Sequence, residues 1–372
     1  MNLPFIIALL AFLIALGAYL WVYLRRKGAA IERPHHKLER HSSNPVISPT
    51  PFKEWEANGT LNPAAVEDDE GNVHLLFRAI GDDGVSRIGH AISLDGLNFS
   101  DRSMYPVFQP ISGYGAEHAK PSEPPEYNPV IYASGGGWAG AEDPRAVRIG
   151  DKVYMTYVAF EGWDSVRIAL TSIKMDDMKK SKWKWTRPIF ISSPKQVSKN
   201  WVIFPEKING KYAVLHSISP NILVDYVDHL ESYYGKPIVS KIPHDQRGNY
   251  TGRPDFWDNR VRGAGPPPLK TDIGWLLLYQ SMDKNDPNKY KVGAMILDMN
   301  DPTKILYRSP QPILSPELHY ENDGKPGVTY ASGAIIKNGK LIVYYGGGDR
   351  HVCVAQTPLK EMLEWLVRYG KV

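Results

Sequence analysis

The feature that most constrains this fold is a strand-dense segment that recurs five times along a chain of 372 residues. Each copy opens on a polar or glycine-rich stretch. The openings are Asn62-Pro63-Ala64-Ala65, Glu142-Asp143-Pro144-Arg145, Phe204-Pro205-Glu206-Lys207, Gly263-Ala264-Gly265-Pro266-Pro267 and Tyr330-Ala331-Ser332-Gly333. Apolar strands follow, most clearly Val73 to Arg78, Val153 to Tyr157, Tyr212 to His216, Trp275 to Tyr279 and Leu341 to Tyr345. A third strand comes after some of them, as in Arg87 to Ser93 and Arg167 to Ser172. Small antiparallel sheets repeating at roughly 60–80 residues are the mark of propeller blades. The expected fold is therefore all-β, a five-bladed β-propeller whose polar tips converge on one central site.

A propeller accommodates this length as one domain. Hydrophobic residues at 42% and charged residues at 23% suit an ordinary core. The net charge of +4 is mild, and no basic stripe with interleaved aromatics argues for nucleic acid. One cysteine, Cys353 in an apolar strand, excludes an internal disulfide framework and reads as a buried thiol.

The N-terminus stands apart. Pro4 to Leu24 is an uncharged apolar run, long enough to cross a bilayer as a helix. Trp21 and Tyr23 lie at its end, and Arg25-Arg26-Lys27 follow at once. A cleaved signal peptide fits less well, because no basic region precedes a run of this length. The sequence thus divides into a transmembrane anchor over 1–27, a juxtamembrane linker over 28–49 and the propeller over 50–372. The positive-inside rule makes it a single-pass membrane protein with its large domain in the cytoplasm, close to lipid-linked or membrane-proximal glycans.

The sharpest local motif is Glu142-Asp143-Pro144-Arg145. Proline biases Asp143 toward an extended backbone. A carboxylate so held beside Arg145 could act as a general acid; a turn in which aspartate caps its own backbone is the bland alternative. Arg78 and Arg87 flank the turn Gly81-Asp82-Asp83-Gly84, and guanidinium forks there could bind hydroxyls or anions. Lys199-Asn200 lies before the third opening, which itself carries Glu206 and Lys207. Asp349 sits on the glycine-rich Gly346-Gly347-Gly348 turn, either a ligand-approaching loop or a plain hairpin. The 10 Trp and 21 Tyr suit a sugar ligand and inter-blade packing equally. No metal-ligand spacing, nucleophile elbow, Walker loop or dinucleotide fingerprint occurs. His35-His36 fall in the linker.

Taken together, these motifs resemble glycoside hydrolase family 130, the β-mannoside phosphorylases and related mannosidases, from about Asn44 to Leu366. The ordered set is Asn62-Pro63-Ala64, Arg78-Ala79, Ser86 to Gly89, Ser93 to Gly96, Glu142 to Arg145, Phe204 to Ile208, Gly263 to Pro267, Thr271 with Gly274 to Leu276, Asp298 with Asp301-Pro302, and Tyr344 to Gly346 with Asp349. The resemblance implies an inverting enzyme on β-mannosides, with Asp143 as the general acid acting in part through a substrate hydroxyl. It implies sugar contacts from Asn62, Arg78, Arg87 and Asp349, and inorganic phosphate as co-substrate with no other cofactor.

The chain departs from the family pattern at two positions. Ser217 follows His216 where an arginine is usual, and Gln280-Ser281 follows Tyr279 where His-Gly is usual. Both changes remove donors that would hold an anion, each worth about 1.5–3 kcal/mol. Lys199, Lys207 and Arg262 are the candidates to replace them. If water were the nucleophile, inversion would need a second carboxylate as base, for which Glu206, Glu317 and Glu321 are candidates. Hydrolysis and phosphorolysis both stay open, as does a catalytically altered carbohydrate-binding propeller.

Overall fold

Each of the five apolar runs becomes the middle strand of an antiparallel group, and alternate residues of that strand enter two different cores. The computed structural model describes residues 12–20, 34–111, 127, 134–162, 165–194, 196–232 and 252–372. They divide into a segment up to His35 and a body, His36–Val372.

Strand β1 (Glu39–Arg40) opens the body. The first group holds β2 (Gly59–Glu67), β3 (Val73–Ile80), β4 (Val85–Ser93) and β5 (Asp101–Arg102). The second holds β6 (Ala139–Ile149), β7 (Lys152–Phe160), β8 (Val166–Lys174) and β9 (Ile189–Phe190). The third is β10 (Val202–Ile203), β11 (Tyr212–Ser217) and β12 (Leu223–Val227). The fourth is β13 (Arg260–Ala264), β14 (Leu269–Thr271), β15 (Gly274–Asp283), β16 (Asp286–Leu297) and β17 (Ile305–Arg308). The fifth is β18 (Thr329–Lys337), β19 (Lys340–Gly347) and β20 (His351–Pro358), with β1 added beside β20. A short parallel pairing of Val85 and Ser86 with Ala139 and Gly140 joins the first two groups.

The period of two along a strand explains how the groups pack. In β3, Leu76 enters a core shared with Met155 and Tyr157 of β7. Leu75 and Phe77 enter another, shared with Ile342 and Tyr344 of β19. In β7, Tyr154 and Val158 meet Val214 of β11. Ala213 and Leu215 of β11 meet Leu277 and Tyr279 of β15. Leu276 and Leu278 of β15 meet Val343 and Tyr345 of β19. Five cores therefore link first to second, second to third, third to fourth, fourth to fifth, and fifth back to first. Middle strands buried on both faces need continuous apolar sequence, and β3 is buried throughout. Cys353 is fully buried in β20.

One boundary differs from the sequence reading. The linker expected over 28–49 ends by His36: Leu38 is buried in the last core, and Glu39 and Arg40 pair with Gln356 and Ala355. The pairing explains why: β20 would otherwise be a bare sheet edge. Of the span expected over Pro4 to Leu24, residues 12–20 are helical and the rest lies outside the described residues. Among the described residues, no helix is long and apolar enough to cross a membrane.

Candidate active site

The motifs expected at loop tips lie instead inside or beside the first strand of each group, four of them at breaks in register. The β2–β3 ladder slips between Leu61 and Ala64, and the β6–β7 ladder between Glu142 and Arg145. The β13–β15 ladder slips between Val261 and Gly263, and the β18–β19 ladder between Ala331 and Gly333. Such bulges re-aim side chains beside binding sites. Asn62, Asp143, Asn200 and Asp349 have φ of 47°, 49°, 62° and 50°. Asparagine and aspartate tolerate this left-handed region better than other residues with a Cβ. The extended backbone expected for Asp143 ahead of Pro144 is thus not what forms. The bulge overrides the proline's local preference, at Asn62-Pro63 as well as at Asp143-Pro144.

Asp143 is the centre of the cluster, with its side chain 11% exposed. Its Oδ1 accepts from Asn62 Nδ2 at 2.8 Å and Arg78 Nη1 at 3.2 Å. Among the described residues, no hydrogen bond ends on Oδ2, which leaves that oxygen for a ligand. Burial opposes the charge, but the Arg78 guanidinium, the Lys199 ammonium, Arg145 and the Asn62 amide outweigh it. The carboxyl is therefore held below the usual carboxylate range.

Arg78 is almost wholly buried and every nitrogen is engaged. Besides Asp143 it donates to Ser86 Oγ (3.0 Å), Ser134 O (2.7 Å) and Glu142 Oε1 (2.8 Å). Glu142, also buried, accepts from Ser134 Oγ at 2.7 Å and lies 3.5 Å from Lys199 Nζ. Arg78 thus holds the Asp143 carboxylate from within the cluster. A Cβ at Gly346 would come within 2.3 Å of Asn62 Oδ1, so only glycine lets that amide sit where it does.

Asp349 interacts with the same charges. Burial raises its pKa, helped by the Asp143 charge and opposed by Lys325 and Arg78. Lys325 Nζ is 3.6 Å from its carboxylate. Lys325 and Arg262 both lie over the Tyr290 ring, at 5.8 and 5.5 Å. Lys199, Arg262 and Lys325 are the cations this arrangement offers to an anion.

Other expected site residues are engaged elsewhere. Arg87 makes a bidentate pair with Asp83, at 3.0 and 2.6 Å, on its own hairpin. Lys207 lies 4.6 Å over Tyr212. The three candidate bases all have partners outside the Asp143 cluster. Glu206 pairs with Lys270 at 2.5 Å on the surface. Glu317 pairs with Lys37 at 2.9 Å. Glu321 is buried under Arg40 (2.7 Å) and Tyr345 Oη (2.9 Å), and also accepts two backbone amides, which makes it structural. Ser217 Oγ donates to Ser219 O at 3.0 Å. Gln280 Nε2 donates to Ala331 O, within the core.

Sequence reasoning gave no role to Glu142, Asn200, Tyr330 or Lys325. The first three stand in or beside the quoted openings, so their place in the repeat was a usable signal. Lys325 had none. Among the described residues, no group of His, Cys, Asp and Glu is suited to a metal ion. The cluster can donate or hold a proton at Asp143, bind hydroxyls at Asn62 and Asp349, and attract an anion through its cations.

Comparison with known proteins is consistent with this chemistry. Residues 122–368 match the family described as beta-1,4-mannooligosaccharide phosphorylase. The chain is 35% identical to the 1,2-beta-oligomannan phosphorylase of Thermoanaerobacter sp. (strain X514), over 88% of this chain and 99% of that protein. It is 34% identical to the beta-1,2-mannobiose phosphorylase of the same organism, over 86% and 96%. The Listeria innocua beta-1,2-mannobiose phosphorylase, solved as its beta-1,2-mannobiose complex, superposes with a TM-score of 0.66. That match has 25% identity and covers 88% of this chain and 99% of that one.

Proposed function

The chain belongs to glycoside hydrolase family 130, and from that premise we propose that it is an inverting β-mannoside phosphorylase in which Asp143 is the general acid. The substrate class is a β-1,2-linked mannoside, as the names of its 35% and 34% identical relatives indicate. Asp143 passes its proton to the glycosidic oxygen, in part through a substrate hydroxyl. Inorganic phosphate attacks the anomeric carbon from the opposite face, and the bond to the leaving sugar breaks as the bond to phosphate forms.

The observation that carries this reading is the charge balance at Asp143. Its carboxylate is surrounded by Arg78, Lys199 and Arg145, while the three glutamates that could have served a water-driven inversion are paired elsewhere. A phosphate dianion near those cations offsets the field that keeps Asp143 ionised, so binding the nucleophile favours protonating the acid. Water gives no such help.

Hydrolysis is the second reading. It is favoured by the neutral, internally bonded side chains Ser217 and Gln280, where the family usually carries phosphate ligands. Incubating the protein with β-1,2-mannobiose, with and without phosphate, separates the two. Mannose 1-phosphate formed only with phosphate supports phosphorolysis; free mannose in both samples supports hydrolysis. The absence of any product overturns both in favour of a carbohydrate-binding module.

The same proposal takes the five strand groups as blades of a five-bladed β-propeller, supported by the five inter-group cores and the return of the last to the first. It also includes a single N-terminal membrane span over 1–27 with the body on the cytoplasmic side, supported by the apolar run and its basic flank. Release of the full chain from membranes by a carbonate wash would remove that element.

A further inference from the structure

We propose that Arg145 is the positioning residue of the acid, holding the Asp143–Pro144 backbone in the left-handed bulge that aims the carboxylate. The inference rests on the reading of Asp143 as the general acid.

Arg145 is 3% exposed and its fork spans four strand groups. On its own strand β6, Nη1 donates to Asp143 O and Pro144 O, each at 3.1 Å. These carbonyls belong to the register break, where the ladder between β6 and β7 is interrupted. Nε donates to Gly265 O of the fourth group at 2.7 Å. Nη2 reaches Asn200 Oδ1 of the third group at 3.4 Å and Tyr330 Oη of the fifth at 3.3 Å. Tyr330 Oη in turn donates to Asn200 Oδ1 at 2.5 Å, and its ring stacks under the guanidinium at 5.5 Å.

The surroundings leave little room for another arrangement. A Cβ at Gly263 would fall 2.3 Å from Asn200 Nδ2, and one at Gly265 would fall 2.9 Å from Ala331 O and Leu278 O. A left-handed residue before proline persists only when its neighbours over-determine it. Nη1 donates to both successive carbonyls while Nε and Nη2 tie the same planar group to Gly265 O, Asn200 Oδ1 and Tyr330 Oη, and a lysine ammonium cannot hold all of these directions at once. Arg145 also adds positive charge beside Asp143, so fork and charge can be tested apart.

The test uses the full chain with β-1,2-mannobiose and phosphate, reading mannose 1-phosphate and free mannose together across pH. Asp143→Asn tests the underlying reading: activity near wild type sinks the acid assignment itself. With that variant inactive, Arg145→Lys keeps the charge and loses the fork. It is expected to lower kcat by about 10–100-fold, with KM within about two-fold and the alkaline limb of the pH profile unmoved. Arg145→Met loses both, so kcat falls likewise and the alkaline limb moves to higher pH. If neither variant folds, Asn200→Gly decides. Glycine keeps the left-handed backbone at that position and removes the side chain whose Oδ1 accepts from Nη2 and from Tyr330 Oη and whose Nδ2 donates to Arg262 O; a fall in kcat of about 3–10-fold at constant KM is expected. Wild-type kcat in Arg145→Lys, or in Asn200→Gly where the first cannot be read, overturns the proposal. So does a raised KM with unchanged kcat, which would make Arg145 a ligand contact.

Discussion

Two buried aspartates in this molecule have similar chemical company, and the proposed function gives them opposite roles. Asp258, in the fourth group, is fully buried against two arginines and a tyrosine. Its oxygens accept from Arg253 Nε (3.0 Å) and Nη2 (3.0 Å) and from Tyr279 Oη (2.7 Å), and Arg308 Nη2 is an ion-pair partner at 2.7 Å. Asp143 likewise sits among arginines, but among the described residues the hydrogen bonds to its carboxylate end on one oxygen, its side chain keeps an 11% opening and its φ is 49°. A saturated carboxylate on relaxed backbone is a strut. One left half-open on strained backbone can serve as a site. Charge alone would not have told them apart.

The strongest way to break that contrast is to neutralise both. Asp143→Asn should cost about 10²–10⁴-fold in kcat while leaving the melting temperature close to wild type. Asp258→Asn should do the reverse, costing about 3–5 kcal/mol of stability by stranding buried guanidinium groups, with kcat of the folded protein within about two-fold. Urea unfolding and initial rates on the same samples check both. Equal losses in both assays for both variants would erase the distinction.

A third buried polar chain sharpens it through pH. His74 Nε2 lies 3.2 Å from Asp68, and His74 Nδ1 lies 2.9 Å from His90 Nε2, with Trp183 against His90. Burial drives His90 down to about 3 and lowers His74 despite Asp68, with Lys179 nearby adding to the fall. A histidine whose folded pKa lies below its unfolded value contributes stability that is complete above about pH 6.5 and lost as pH falls towards the folded value. Asp68, itself lowered, acts in the same direction. Through His90 stability should thus decline by up to about 1.4 kcal/mol per pH unit between about pH 6.5 and 3, and His74 adds to the fall in the same direction. His90→Phe should flatten that decline in acid unfolding curves.

Smaller effects test the charge around Asp143. Lys199→Met removes a cation that depresses the pKa of the proposed acid, Asp143, so the alkaline limb of kcat/KM should move to higher pH. Glu206→Gln and Glu317→Gln, on surface ion pairs, should change rate by less than about two-fold and stability by less than about 0.5 kcal/mol. A large rate loss in either would restore a carboxylate base and the hydrolytic reading.

The middle strands were legible because burial on both faces demands continuous apolar runs, as in Trp275 to Tyr279 and Leu341 to Tyr345. The placement of Asp143 was legible only as a motif. Its left-handed backbone was not, because the local rule for a residue before proline points to the extended region and the bulge is set by tertiary packing. Arg78 was legible as a candidate, while its burial was not. Its burial depends on Glu142, Ser134 and Ser86, which converge on it in space. Glu321 looked like a base by residue type alone, yet Arg40, nearly three hundred residues away, claims it. Lys325 carried no signal, since its partner Asp349 lies on a different turn.

The pairing of β1 with β20 also sets an order of events in synthesis. Residues 39–40 are among the first of the body to leave the ribosome, yet their partners at 355–356 are among the last. The Arg40–Glu321 contact waits almost as long. The first-to-fifth core, which joins Leu75 and Phe77 to Ile342 and Tyr344, cannot assemble sooner either. A nascent chain stalled before about residue 340 must therefore carry an exposed apolar face on its first sheet, and only the final stretch of translation supplies the surface that covers it.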